Sequence, residues 1–165
     1  VQLLWVWVGM AIMSPIVGWW SDHIQSRKTP ILICFSIGLL ATLLLILPEK
    51  ASLWTLDLTM FLLGTSAGIQ PITFGLIREQ NSQTVAGTAI AFNNMAVIFG
   101  GVILQPLFGF LLDFFWQGGS LNGVRTYAIF EYQHAMWILP LCCLVGFFNT
   151  LWFVDETHCK RVDLS

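Results

Sequence analysis

Long apolar runs separated by short polar stretches make up most of the chain. A helix needs roughly 20 mostly apolar residues to cross a hydrocarbon core about 30 Å thick. Because lipid offers the backbone no hydrogen-bond partners, runs of this length must be helices rather than open strands. The pattern therefore predicts an all-α, polytopic membrane helical bundle with five transmembrane helices, at about residues 2–20, 30–47, 53–77, 85–115 and 135–154.

Composition and charge support a membrane protein and exclude several other classes. Of the 165 residues, 56% are hydrophobic and 10% are charged, whereas soluble domains carry about 25% charged residues. The net charge of -2 leaves no basic surface for nucleic acid. The four cysteines form no CxxC pair and no cluster with histidine. We therefore expect no metal site, no redox site and no cofactor.

The positions of lysine and arginine predict the orientation, because these residues are retained in cytoplasmic loops. When the spans alternate, Lys50 and Arg125 fall on one side, and a larger basic group falls on the other: Arg27, Lys28, Arg78, Lys160 and Arg161. This places the C-terminus in the cytoplasm, in an integral multi-pass protein that we expect in the plasma membrane. The tryptophans form an aromatic belt at the two interfaces, with Trp5, Trp7, Trp54, Trp116 and Trp137 at one and Trp19, Trp20 and Trp152 at the other.

The first residue, Val1, already belongs to an apolar run, with no methionine and no charged start of a signal peptide before it. We interpret this as a chain that lacks an upstream portion, with at least one span missing. Translation from a non-standard start codon is the alternative.

A polar stretch at residues 18–28 separates the first two spans. Asp22 follows Gly18 by four residues, and Arg27 and Lys28 come just before Pro30 opens the next span. A glycine allows close approach of helices, and a carboxylate at a helix end can meet the positive N-terminus of a neighbouring helix. Any cytoplasmic loop collects basic residues, so the basic pair by itself has little specificity.

The spacing Gly-x-x-x-Asp followed by a basic pair resembles the loop signature of the major facilitator superfamily, the secondary transporters built from two six-helix halves. His23 and Gln25 depart from the usual signature, as is typical of its copy in the second half. In the family this loop latches the halves together in one state and releases them in the other. The resemblance therefore implies that the gating residues are Gly18, Asp22, Arg27 and Lys28.

Later residues also resemble the C-terminal half of that family. A run of small and amide residues in the fourth span looks like the family's eleventh helix, and the pairs Arg78-Glu79 and Glu156-Thr157 resemble C-terminal-half sequences. On this resemblance the five spans correspond to helices eight to twelve. The missing N-terminal half of the same carrier would then be a partner, together with the lipid bilayer, a small-molecule solute and a co-transported ion.

The third span has two unlike faces when its residues are placed 100° apart. Thr59, Ser66, Gln70 and Thr73 form a polar stripe, and Gly64, Gly68, Pro71 and Gly75 form the opposite stripe. The Gly64-x-x-x-Gly68 spacing predicts close packing of another helix, and Pro71 predicts a loosened backbone ladder. The corresponding helix of the family lines the solute path. Gln70 is therefore the first candidate for solute contact, and a bond to a neighbouring helix is its alternative role.

The fourth span carries Asn94 and Gln105 on a stripe of small residues, with Asn93 on another stripe. Amides at this depth either join helices or bind the polar groups of a solute, so both readings stay open. The second span is apolar nearly all round, which predicts an outer helix that faces lipid. No Asp, Glu, Lys, Arg or His lies near the middle of any span, so in a proton-driven carrier the coupling group would lie elsewhere.

Transmembrane transport of a small solute by alternating access is the function that these residues favour, with this chain as the C-terminal part of a secondary carrier. The alternative is a non-transporting membrane subunit or the remnant of a broken transporter gene. An enzyme embedded in the membrane would need paired aspartates, metal ligands or a Ser/His pair at depth, and the sequence has none of these. The residues specify neither the solute nor the coupling ion.

Overall fold

A computed structural model describes residues 2–48, 52–121 and 123–160. Val1, Lys50, Asn122 and Arg161, which entered the sequence argument, lie outside these ranges. The described elements, in chain order, are α1 (Leu3–Ile24), α2 (Lys28–Ile46), α3 (Leu53–Ala67), α4 (Gln70–Gln80), α5 (Ala86–Phe115), β1 (Ser120–Leu121), β2 (Val124–Arg125), α6 (Ile129–Met136) and α7 (Ile138–Phe153).

The helices give five candidate membrane spans within the described ranges, which confirms the predicted fold class. Two of these spans are interrupted. The third, Leu53–Gln80, is split between α3 and α4, where Pro71 lies in the first turn of α4 and so removes no hydrogen bond from that helix. The fifth, Ile129–Phe153, is split between α6 and α7, and it begins earlier than the predicted residue 135.

The α1–α3 crossing is built on glycine. A β-carbon at Gly64 would overlap the carbonyl oxygen of Val6, and one at Gly9 would overlap the carbonyl oxygen of Phe61. A β-carbon at Gly68 would be in tight contact with the backbone of Ser14 and Met13, at 3.2 and 3.3 Å. The two backbones therefore touch, as small residues allow in membrane helices. The predicted close packing at Gly64 and Gly68 is confirmed, with α1 as the partner.

α2, the helix of the second span, packs against two neighbouring helices but keeps an exposed face, on which Ile33 and Leu40 are 40% and 54% exposed, so its place as an outer, lipid-facing helix stays a prediction. α2 packs against α3 on one side and α7 on the other. Gly38 of α2 receives Ser66 of α3, and Gly146 of α7 receives the ring of Phe35 from α2. The buried residues of α2 extend along the whole helix: Pro30, Ile31, Cys34, Gly38, Ala41, Thr42 and Ile46.

The polar stripe of the third span does not face one open path. Thr59 is 1% exposed and donates to the carbonyl oxygen of Thr55, so its hydroxyl is satisfied inside its own helix. Ser66 donates to the carbonyl oxygen of Leu63 while packing on α2. These hydroxyls therefore fit helix contacts, and the solute contact of Gln70 stays a prediction.

α5 stands apart from the packed helices. It contacts α4 and α6, and among its described residues the buried ones are Ala86 and Leu112. After it the chain makes a two-stranded antiparallel hairpin, β1–β2, whose turn includes Gly123 at a φ of 80°. This positive φ suits glycine, which has no β-carbon to clash with the backbone.

Candidate functional site

The polar stretch between the first two spans is mostly helical rather than a loop. α1 continues to Ile24 and ends at Gln25, which has the left-handed backbone conformation at a φ of 51°. The Ser26 amide then donates to the carbonyl oxygen of Ser21, and the Ser21 hydroxyl donates to the carbonyl oxygen of Ser26. This tight turn folds Arg27 back over the end of α1.

Arg27 is the centre of a polar cluster at this end of the bundle. Its Nη2 donates to Oε1 of Glu79 at 2.7 Å, and its Nε donates to the same oxygen at 3.1 Å. Its Nη1 donates to Asp22 at 2.6 Å and to the Ser21 hydroxyl at 3.0 Å. One guanidinium therefore connects the end of α1, the start of α2 and the end of α4, using the fork geometry that arginine offers to carboxylates.

The segment after α7 completes this cluster. The Thr157 hydroxyl donates to Oε2 of Glu79. Glu156 lies at the N-terminus of α2, where its carboxylate accepts from the amides of Arg27 at 2.7 Å and Lys28 at 3.1 Å and from the Ser26 hydroxyl at 2.6 Å. A carboxylate satisfies unpaired amides and favours the positive end of the helix at this position.

Of the four predicted gating residues, Asp22 and Arg27 are brought together directly. Lys28 has a different role, because its Nζ donates to the carbonyl oxygen of Leu151 at 2.7 Å and so places a cation at the C-terminal end of α7. Nothing lies within 4 Å of the position that a β-carbon at Gly18 would take. No described helix therefore comes close to Gly18, and its role in gating stays a prediction.

Burial and charge make the cluster asymmetric. The side chains of Arg27 and Glu79 are 11% and 10% exposed, whereas that of Asp22 is 65% exposed. The hydrogen bonds to Glu79 raise the pKa of Arg27, so the guanidinium stays charged. Burial alone would raise the pKa of Glu156, but its bonds from the Arg27 amide and the Ser26 hydroxyl lower it overall.

The candidate solute-binding residues are not joined by hydrogen bonds within the described chain. Gln70 begins α4 and is half-buried, while Asn94 and Gln105 are exposed on α5. Asn93, on the neighbouring stripe of α5, has a buried Nδ2 atom without a hydrogen-bond partner among the described residues. Their part in solute binding stays a prediction.

The sequence predicted Asp22, Arg27 and Lys28 as site residues but not the two other carboxylates of the cluster, Glu79 and Glu156. Glu79 and Glu156 entered only as parts of pairs that resemble family sequences. The available signal was their location, since each follows a predicted span directly and lies on the same predicted side as Arg27. Carboxylates at the ends of spans require partners that balance their charge, and the basic pair Arg27-Lys28 lies on the same predicted side.

The family model described as Major Facilitator Superfamily matches residues 3–164. Neither the curated proteins nor the solved structures gave a match. The family match extends over nearly the whole chain, and the five candidate spans are those of an integral multi-pass membrane protein. The chain belongs to the Major Facilitator Superfamily, a family of transporters.

Proposed function

We propose that this chain is one helical bundle of a secondary carrier that moves a small solute by alternating access. In this mechanism two bundles rock about a central site, which opens to one side of the membrane at a time. The observation that carries the proposal is the Arg27 cluster, which connects α1, α2, α4 and the segment after α7 at one end. Helices joined in this way move together, as rocking of a whole bundle requires.

The two carboxylates around Arg27 have separate tasks in this proposal. The buried pair of Arg27 and Glu79 keeps the bundle together during the cycle, because separating a buried pair is costly. The exposed Asp22 is the gating arm, since most of its carboxylate surface is available to a second bundle. We place this end in the cytoplasm, on the distribution of lysine and arginine.

The solute path is proposed to run along α4 and α5. Gln70 at the start of α4 and the amides Asn94 and Gln105 of α5 would donate to and accept from polar groups of the solute. The exposure of both α5 amides supports this assignment, because polar side chains within a span require a cavity or another helix. The second bundle, with a co-transported ion, would supply the other wall. The described chain by itself is therefore expected not to transport.

Uptake measured against membrane abundance tests this function. Gln70→Ala and Asn94→Ala are introduced into the carrier with both bundles present, and Gln83→Ala, in the turn before α5, is the matched control. We expect loss of uptake at unchanged abundance for the first two and no change for the control. Loss of abundance in place of activity, or uptake by the purified 165-residue chain alone, would contradict the proposal.

A further inference from the structure

We draw no further inference here: the strongest candidate, the polar cavity beside Gly75 and Arg78 at the end of α4, belongs to the site already described, because its other charged lining is the Arg27 and Glu79 pair of that cluster.

Discussion

Arg27 and Glu79 are 52 positions apart in the chain, and the guanidinium of the first holds one carboxylate oxygen of the second with two nitrogen atoms, at 2.7 and 3.1 Å. Both side chains are about one-tenth exposed. The same guanidinium also holds Asp22, which is mostly exposed. Arg27 therefore pairs with one buried carboxylate and one exposed carboxylate. The contributions of these two ion pairs to stability can be compared directly.

Glu79→Gln should destabilise the protein far more than Asp22→Asn. Breaking a buried pair costs about 3–5 kcal/mol, whereas an exposed pair contributes at most about 1 kcal/mol. Unfolding of both variants in detergent micelles measures the difference, and the double variant Arg27→Gln with Glu79→Gln should recover part of the loss. Equal destabilisation by the two single changes would show that burial does not set the strength of this cluster.

Gly64→Ala should weaken the α1–α3 crossing. The added methyl group overlaps the carbonyl oxygen of Val6, and overpacking of this kind costs about 1–3 kcal/mol. Gly101→Ala is the control, because nothing lies within 4 Å of a β-carbon at Gly101 in α5. The temperature at which half of the protein is lost from its size-exclusion peak should fall for Gly64→Ala and stay unchanged for Gly101→Ala. Equal loss of thermal stability in the two variants would contradict the close α1–α3 crossing.

The carboxylate of Glu156 should make stability depend on pH in the acidic range. Its pKa is lowered in the folded protein, so the ionised form is favoured there. The stabilisation is complete above the ordinary pKa of glutamate, about 4.3, and is lost as the pH falls through the lower folded value. Glu156→Gln should remove this dependence and cost about 1–2 kcal/mol at neutral pH, as loss of a helix cap does.

Asp155→Asn is the matched control for that experiment, because Asp155 is exposed and adjacent in the chain. Its acid unfolding profile should follow that of the parent. An unchanged profile in Glu156→Gln would mean that the amides at the start of α2 do not depend on this carboxylate.

The segment that contains the β1–β2 hairpin also has a buried carboxylate and an exposed ion pair. Glu131 is 3% exposed and accepts from the amides of Gln117 and Ala128. Arg125 and Asp113 form an ion pair at 2.7 Å, but both are about half exposed. Glu131→Gln should therefore cost about 1–3 kcal/mol, and Asp113→Asn should cost less, because an exposed ion pair contributes little. Unfolding measurements that reverse this order would show that the hydrogen bonds of Glu131 contribute less to stability than the exposed ion pair.

The spans could be predicted because the thickness of the bilayer appears in the sequence as apolar runs of matching length. The packing of α2 between α3 and α7 could not be predicted in this way. Lipid tails are as apolar as leucine, so a helix that faces lipid and a helix that packs between others have similar sequences. Pro71 indicated a weak point in the third span, but hydropathy continues across the break and so did not show that α3 ends at Ala67.

The cluster could be predicted only in part for a related reason. A sequence motif marks residues that are close along the chain, such as Asp22 and Arg27. Glu79 and Glu156 meet them only through the packing of α4 and of the segment after α7. Their charge and position at span ends indicated that they need partners, but the choice of partner is decided by tertiary structure.

Cys159 is a native reporter for the proposal that this cluster joins the helices of one bundle at its cytoplasmic end. Its Sγ lies 3.6 Å from the carbonyl oxygen of Ser21, and burial raises the pKa of its thiol, so it should react slowly while the cluster is closed. Within the described chain the other cysteines, Cys34, Cys142 and Cys143, lie in α2 and α7. Cys159→Ser measures the background labelling of the other cysteines.

The most direct measurement is the rate at which a membrane-impermeant maleimide labels Cys159 in inside-out and right-side-out vesicles. The account predicts labelling in inside-out vesicles alone, with a several-fold faster rate in Glu79→Gln and a rate close to that of the parent in Asp22→Asn. The Asp22 variant also corrects for the loss of one negative charge near the thiol. Labelling from the outside, or the same rate in all three proteins, would contradict the proposal that the pair of Arg27 and Glu79 joins the bundle at its cytoplasmic end.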